Sequence, residues 1–261
     1  MTIAEPAVVD AGPVPAAPFD AAFVDAVLFD AVLFDLDGTL VDPAGGITGG
    51  IEHALRAMDL PVPGPETLGR MVGPKLAEGL VGILGVPEPQ VADVIAEYRS
   101  WYTARGMGMS RVYPGIRELL AGLHARGVQL AVATQKPEPL ARTLLAHHGL
   151  DRCFDVIRGS HADESIMPGE PGYRAGKAEI IASALEALAG PARPIMVGDR
   201  HQDVVGARAN GLACVGVAWG FAPDGELEAA GVAGVVHSTQ DLLEVLGGGP
   251  AAAGEGARGT V

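Results

Sequence analysis

The sequence is poor in cysteine, in basic residues and in long apolar runs. Its two cysteines, Cys153 and Cys214, each lie in an apolar segment, so we predict buried free thiols rather than a disulfide framework. No apolar run approaches the roughly 20 residues that a membrane-spanning helix needs. Residues 1–22 are rich in alanine, proline and acids and have no basic region, so we do not expect a secretory signal. We therefore predict a cytoplasmic protein.

The charge balance is strongly acidic. The chain has 32 Asp and Glu residues against 18 Lys and Arg, a formal net charge of −14. Such a surface repels polyanions, which argues against binding to nucleic acid or to an anionic membrane. A phosphorylated substrate would be repelled too. A phosphate site in this chain therefore requires a local cation or a bound metal.

The most informative stretch is residues 31–42, Ala-Val-Leu-Phe-Asp-Leu-Asp-Gly-Thr-Leu-Val-Asp. Its apolar run is typical of a strand buried on both faces, as in a parallel sheet covered by helices. Asp35 would emerge at the carboxyl edge of that sheet, where open α/β sheets bind ligands. Gly38 permits a sharp turn that brings Asp37 back over the same edge. Two carboxylates so placed can serve as nucleophile and proton carrier.

Residues 35–39 resemble the first motif of the haloacid dehalogenase superfamily, an apolar strand followed by Asp-x-Asp-Gly-Thr. In phosphatases of that superfamily the first aspartate attacks phosphorus and the second is the general acid and base. The resemblance implies these roles for Asp35 and Asp37, with Gly38 and Thr39 contacting substrate. An earlier copy of Ala-Val-Leu-Phe-Asp ends at Asp30 but does not continue into the motif, so Asp30 is the natural control for Asp35.

A second segment, residues 130–137, is an apolar strand that ends in Thr134, with Pro137 placed to open a helix. A hydroxyl beside the free backbone amides of a helix start suits a phosphoryl group. The segment resembles the superfamily's second motif, in which this threonine hydrogen-bonds a phosphoryl oxygen. Gln135 is a further candidate substrate contact, and it departs from the small Ser or Asn that is usual there.

A third segment contains Lys177, which begins a helical pattern. A cation at a helix N-terminus opposes the macrodipole, so its presence there calls for a reason. In the resemblance this lysine is the third motif, which neutralises Asp35 and the transferring phosphoryl group. Arg174 is a candidate second phosphate contact, and Lys136 is a less favoured substitute for Lys177.

A fourth segment, Gly-Asp-Arg-His-Gln-Asp at residues 198–203, follows another apolar strand. Its two aspartates, Asp199 and Asp203, share a face if a helix begins there. Hard carboxylate oxygens at a sheet edge suit Mg²⁺. The spacing resembles the superfamily's Gly-Asp-x-x-x-Asp motif. The resemblance implies that Asp35, Asp199 and the backbone carbonyl of Asp37 ligate Mg²⁺, with Asp203 as a ligand, direct or through water, or as an orienting residue.

The order of apolar segments predicts an α/β fold with a doubly wound parallel, Rossmann-like sheet as its core, formed by residues 23–42 and 112–246. Residues 43–111 have apolar positions at helical spacing and predict an inserted all-helical cap. The ends, 1–22 and 247–261, are predicted to be disordered. Within the core we expect helices near 115–126, 138–149, 175–189, 201–210 and 240–246, and strands near 129–133, 194–198, 213–218 and 233–236.

Together the motifs predict a Mg²⁺-dependent phosphatase that acts through an aspartyl-phosphate, as a monomer or homodimer. Within the superfamily the chain is most similar to phosphoglycolate phosphatase and 5′-nucleotidase-like members, so we expect a small phosphorylated metabolite as substrate. Lys75 is a candidate contact from the cap. A sugar phosphomutase shares the motifs and stays open. A regulatory module phosphorylated on aspartate is less favoured, since it has no need of a cap or of Asp37.

Overall fold

The computed structural model describes residues 29–162, 174 and 176–247. The predicted tails at 1–22 and 247–261 lie outside this part of the chain, apart from Gly247. The segment 163–173 and residue 175 also lie outside it.

A parallel six-stranded sheet is the centre of the fold, in the strand order β5-β4-β1-β6-β7-β8. A separate antiparallel pair joins β2 to β3. In chain order the strands are β1 Ala31–Phe34, β2 Val41–Asp42, β3 Arg111–Val112, β4 Gln129–Pro137, β5 Val156–Ser160, β6 Pro194–Gly198, β7 Cys214–Val217 and β8 Gly234–Val236. The predicted α/β class is therefore confirmed.

Ten α-helices are present in the described residues. They are α1 Gly46–Ala57, α2 Pro65–Gly69, α3 Leu76–Gly82, α4 Glu88–Trp101, α5 Ile116–Ala125, α6 Glu138–His147, α7 Lys177–Ala187, α8 His201–Ala209, α9 Glu226–Ala230 and α10 Thr239–Val245. Strand β1 shows how they cover both faces of the sheet, because its side chains alternate between two apolar clusters. Val32 and Phe34 belong to the cluster that includes α5, α6 and α10, whereas Ala31 and Leu33 pack with α7 and α8.

The segment between β2 and β3 is helical and corresponds to the predicted cap. It contains α1 to α4, and α4 continues into a π-helical turn, Tyr102–Gly106, and a short 3₁₀ turn, Met107–Met109. The π-helical turn lies very close to the start of α1, since a Cβ on Gly106 would lie 2.8 Å from the carbonyl oxygen of Gly46. Both chain connections between this segment and the sheet pass through the β2–β3 pair.

Most core elements match the sequence prediction within two residues, but four elements were not predicted. These are β5, the β2–β3 pair and α9. In β5, Arg158 and Gly159 interrupt the apolar run, which removes the signal of a buried strand. Both cysteines are free; Cys214 is buried as predicted, whereas Cys153 is only half-buried, which corrects the prediction for that residue. Within the described residues, no helix combines the length and apolar character needed to span a membrane.

Candidate active site

Three neighbouring strands bring the sequence motifs to one edge of the sheet. Asp35 follows β1, Thr134 lies near the end of β4, and Asp199 follows β6. Because β1 pairs in parallel with both β4 and β6, the carboxyl ends of the three strands meet. This edge of an open α/β sheet is where ligands bind.

A buried carboxylate cluster lies at that edge and consists of Asp35, Asp199 and Asp203, with one oxygen of each within 4.8 Å of the others. The Lys177 ammonium lies 2.6 Å from Asp35 Oδ1 and 2.6 Å from Asp203 Oδ1. It also donates to the carbonyl of Ala133 at 2.8 Å. Burial, together with the neighbouring carboxylates, raises the pKa of Asp199 well above its usual value and that of Asp203 to about 6.

The side chain of Asp199 is completely buried and tightly held. Thr39 donates its hydroxyl proton to Oδ1 at 3.2 Å, and the Phe221 amide donates to Oδ2 at 2.8 Å. Gly38 has φ +92°, and a Cβ there would collide with the Asp199 carboxylate. Glycine is therefore required by both the turn and the close approach. Thr39, predicted to contact substrate, instead orients Asp199 from a fully buried position.

The cluster fits a divalent cation. Three carboxylates face a single ammonium, so full ionisation of the cluster would leave two negative charges uncompensated in a site shielded from water. Buried charge without compensation is costly, and hard carboxylate oxygens are the ligands that Mg²⁺ prefers. The predicted ligands Asp35, Asp199 and Asp203 thus come together. The Asp37 carboxylate lies outside this cluster and is bound elsewhere.

Asp37 forms a buried ion pair with Lys136, whose ammonium is 2.8 Å from Asp37 Oδ2. Lys136 also lies over the ring of Tyr102, 4.7 Å from its centroid. Burial raises the pKa of Asp37, and Lys136 opposes that effect only in part. Burial lowers the pKa of Lys136, but Asp37 together with Tyr102 and Tyr98 outweighs that effect, so the pKa is raised overall. Lys136 therefore does not replace Lys177 at Asp35; it serves the second aspartate.

A pocket of about 380 Å³ opens beside these groups, between the sheet edge and the helical segment. Asp35, Asp37 and Thr134 line it from the sheet side. Its remaining walls are Ile47, Met71, Gly73, Pro74, Lys75, Leu76, Ala77, Glu78, Tyr98, Arg99, Tyr102, Gln135, Lys136, Pro137, Leu140, Ser160, His161 and Arg174. The size falls in the usual range for small-molecule sites, about 300–1,000 Å³.

The predicted substrate contacts differ in what they bind. The Thr134 hydroxyl accepts the Lys136 amide at 3.2 Å, which leaves its own proton available to a ligand. Arg174 donates to Glu138 Oε2 at 3.1 Å and lines the pocket. Lys75 lines the pocket from the end of the loop before α3.

Two side chains from the sheet side hold the loop of residues 72–73 in the helical segment. Gln135 donates to the carbonyl of Gly73 at 2.9 Å. Arg200 donates to the carbonyl of Val72 and also pairs with Glu226, at 2.8 Å. Gln135 directly follows Thr134, and Arg200 directly follows Asp199. The interaction of Gln135 explains how a larger side chain is accommodated where the motif usually has Ser or Asn.

Arg200 was given no role from the sequence, and Lys136 was named only as a less favoured substitute for Lys177 and not as a partner of Asp37. A signal for Lys136 exists. Only three of the 18 basic residues are lysines, namely Lys75, Lys136 and Lys177. All three line the pocket or contact the buried aspartates. In a chain that uses arginine everywhere else, this restriction marks the lysines as residues of the site. No comparable compositional signal marks Arg200.

Residues 32–217 match the family model described as haloacid dehalogenase-like hydrolase. The tyrosine-protein kinase PtkA of Mycobacterium tuberculosis is 41% identical over 215 residues, 81% of this chain and 70% of the relative. A 5′-nucleotidase of Pseudomonas aeruginosa is 38% identical over 195 residues, 74% of this chain and 85% of that protein. The crystal structure of a predicted phosphatase from Clostridium acetobutylicum matches with a TM-score of 0.74 and 37% identity, covering 83% of this chain and 97% of that one.

The buried aspartates, the lysine and the pocket on a parallel sheet define a phosphatase-type hydrolase fold and site. The chain belongs to the haloacid dehalogenase-like hydrolase family. The predicted resemblance and enzyme class, a phosphoric monoester hydrolase, are confirmed.

Proposed function

We propose that this protein is a Mg²⁺-dependent phosphatase that hydrolyses a small phosphate monoester through an aspartyl-phosphate on Asp35. One observation carries the proposal, namely the buried group of three carboxylates and one lysine beside the pocket. It combines a nucleophile, a set of ligands for a divalent cation and a fixed cation at a single sheet edge. The names of the phosphatase and nucleotidase relatives support the same reaction class.

The first proposed step transfers the phosphoryl group. A carboxylate oxygen of Asp35 attacks phosphorus, the new O–P bond forms, and the bond from phosphorus to the leaving oxygen breaks. Asp37 donates its proton to that leaving oxygen. Burial favours this role, since it raises the pKa of Asp37 and so populates the protonated form.

The second proposed step restores the enzyme. The Asp37 carboxylate takes a proton from a water molecule as the water oxygen attacks phosphorus. The acyl-phosphate O–P bond breaks, inorganic phosphate leaves, and the Asp35 carboxylate is regenerated. Asp37 must therefore stay at the pocket between the two steps, and its buried ion pair with Lys136 supports this requirement.

Other residues would stabilise charge in both steps. Lys177 holds the Asp35 carboxylate and would balance charge on the transferring phosphoryl group. Thr134 has a hydroxyl proton to donate to a phosphoryl oxygen. Mg²⁺, held by Asp35, Asp199, Asp203 and the Asp37 carbonyl, would supply positive charge that offsets the repulsion between nucleophile and phosphate.

A panel of small phosphate esters tests the proposal. The full chain is assayed for release of inorganic phosphate from phosphoglycolate, nucleoside monophosphates, sugar phosphates and phenyl phosphates, with Mg²⁺ and with a chelator. We expect Mg²⁺-dependent release from at least one ester and none from Asp35→Asn. Isomerisation of a sugar phosphate without phosphate release would instead identify a mutase. Stable phosphorylation without turnover would identify a regulatory module.

A tyrosine kinase is a second candidate, since the relative PtkA is named a tyrosine-protein kinase. Labelled ATP and a tyrosine-containing peptide test it directly. Label on the peptide, with no release of phosphate from any ester, would overturn the phosphatase proposal. Phosphate release from an ester without peptide labelling supports it.

A further inference from the structure

Lys136 is a cation shared between the sheet side and the helical segment. Its ammonium contacts Asp37, in the turn after β1, and the ring of Tyr102, which begins the π-helical turn after α4. The Lys136 side chain is only 6% exposed. A buried lysine needs a partner, and here one partner comes from each side of the pocket.

The two oxygens of Asp37 are not equivalent. Oδ2 is paired with Lys136, whereas Oδ1 is buried and has no hydrogen-bond partner among the described residues. Buried polar atoms without a partner are uncommon and call for an explanation such as a catalytic role. Asp37 lines the pocket, and Oδ1 is the oxygen of its carboxylate that is left without a partner in the described part of the chain.

We infer that Lys136 is a positioning residue, which anchors Asp37 Oδ2 so that Oδ1 is the oxygen that exchanges the proton, and that Tyr102 holds Lys136 in this position. The inference rests on the proposed function, because it assigns an oxygen and a supporting cation to the proposed acid–base step. Lys136 acts through Asp37 and does not itself bind the transferring group.

The surroundings of Tyr102 support a specific placement of its ring. Tyr98 stacks on it, with ring centroids 5.5 Å apart and an interplanar angle of 22°. The π-helical turn begins at Tyr102, and such turns within helices are frequent at functional sites. The ring therefore meets Lys136 only when the helical segment is seated on the sheet edge. This contact joins the helical segment to the cation that holds Asp37.

The test compares leaving groups of increasing basicity. Single-turnover rates are measured with 2,4-dinitrophenyl, 4-nitrophenyl and phenyl phosphate in the presence of Mg²⁺. Lys136→Met keeps an unbranched side chain only one atom shorter and removes its charge. Dinitrophenolate departs without a proton, whereas phenolate needs one, so we expect about 100-fold loss with phenyl phosphate and less than about tenfold with the dinitrophenyl ester.

Two further variants complete the design. Tyr102→Leu removes the ring but no charge, and we expect a smaller loss with the same dependence on the leaving group. Arg56→Met removes an exposed cation on α1, away from the pocket, and should leave all three rates near wild type. Circular dichroism confirms folding of each variant. If Lys136→Met does not fold, Tyr102→Leu decides the question.

The inference would be overturned if Lys136→Met, or Tyr102→Leu where that variant decides, lowered the single-turnover rate equally with all three esters. The proposed function would then stay intact. A wild-type protein that hydrolyses none of these esters and none of the wider panel would instead overturn the proposed function, and the inference with it. The two failures are therefore distinguishable.

Discussion

The repeated pentapeptide Ala-Val-Leu-Phe-Asp provides a matched pair of substitutions, Asp30→Asn and Asp35→Asn. Asp30 precedes β1 and accepts the backbone N–H groups of Ala192 and Arg193, both at 2.8 Å. Asp35 follows β1 at the opposite end, in the buried cluster. The same change in the same local sequence is therefore expected to have opposite effects on stability and activity.

In Asp35→Asn, attraction and repulsion nearly cancel. With all groups ionised and an effective dielectric constant of about 20, the lost attraction to Lys177 at 2.6 Å is about 6 kcal/mol. The relieved repulsion from Asp199 and Asp203, at up to 4.8 Å, is about 3.5 kcal/mol each. We therefore expect a free energy of unfolding close to that of the wild type. Phosphate release should fall on the order of 10⁴-fold or more, because the nucleophile is lost.

In Asp30→Asn, the side chain keeps only one acceptor oxygen for two N–H donors. We expect a loss of about 1–2 kcal/mol, or about 2–8 °C in melting temperature for a chain of this size. Burial raises the pKa of Asp30, but the backbone N–H groups of Arg193 and Ala192, together with the charge of Arg193, outweigh that effect and lower the pKa overall. The difference in the free energy of unfolding between the wild type and Asp30→Asn is thus present at neutral pH, and it disappears as the pH falls through the lowered pKa of Asp30.

Two measurements on the purified variants check this pair. Scanning fluorimetry gives the melting temperatures from neutral to acid pH, and a phosphate-release assay with the best ester of the panel gives the rates. Asp30→Asn should keep near-normal activity. A variant Asp35→Asn that retained more than a few per cent of the activity, or an inactive but folded Asp30→Asn, would refute the reasoning and move the site.

Two further predictions concern the metal and the loop. Mg²⁺ at about 100 times its dissociation constant should add about 2.7 kcal/mol to the free energy of unfolding, or about 5–11 °C to the melting temperature. Asp199→Asn should remove most of that shift. An unchanged shift in the variant would exclude the cluster as the metal site. Gly73→Ala should raise KM more than it lowers kcat. Gly73 has φ +106° and a Cβ there would lie 2.8 Å from Arg200 Cγ, so the substitution would displace a loop that lines the pocket. Unaltered kinetics would show that this loop does not affect substrate binding.

Local signals in the sequence were sufficient for five of the six strands of the sheet and for the edge that carries the site. Apolar strands that end in polar residues predicted the places of Asp35, Thr134 and Asp199, because parallel strands deliver their carboxyl ends to the same edge. The helical pattern predicted to begin at Lys177 also corresponds to a helix that begins there, α7. These predictions depend on short segments whose character can be read from consecutive residues.

Contacts between the sheet side and the helical segment could not be predicted in the same way. Lys136 meets Tyr102, and Gln135 and Arg200 meet two consecutive carbonyls, only because distant segments pack together. No spacing in the sequence encodes such pairs. The role of Thr39 was missed for the same reason, since its partner Asp199 is 160 residues away.

Both passages of the chain into the helical segment run through the short pair Val41–Asp42 and Arg111–Val112. Two tethers that are bonded to each other would act as one pivot, so any opening of the segment would be a rotation about a single axis. Such an opening would change little more than one angle, and reclosure would require no search through space.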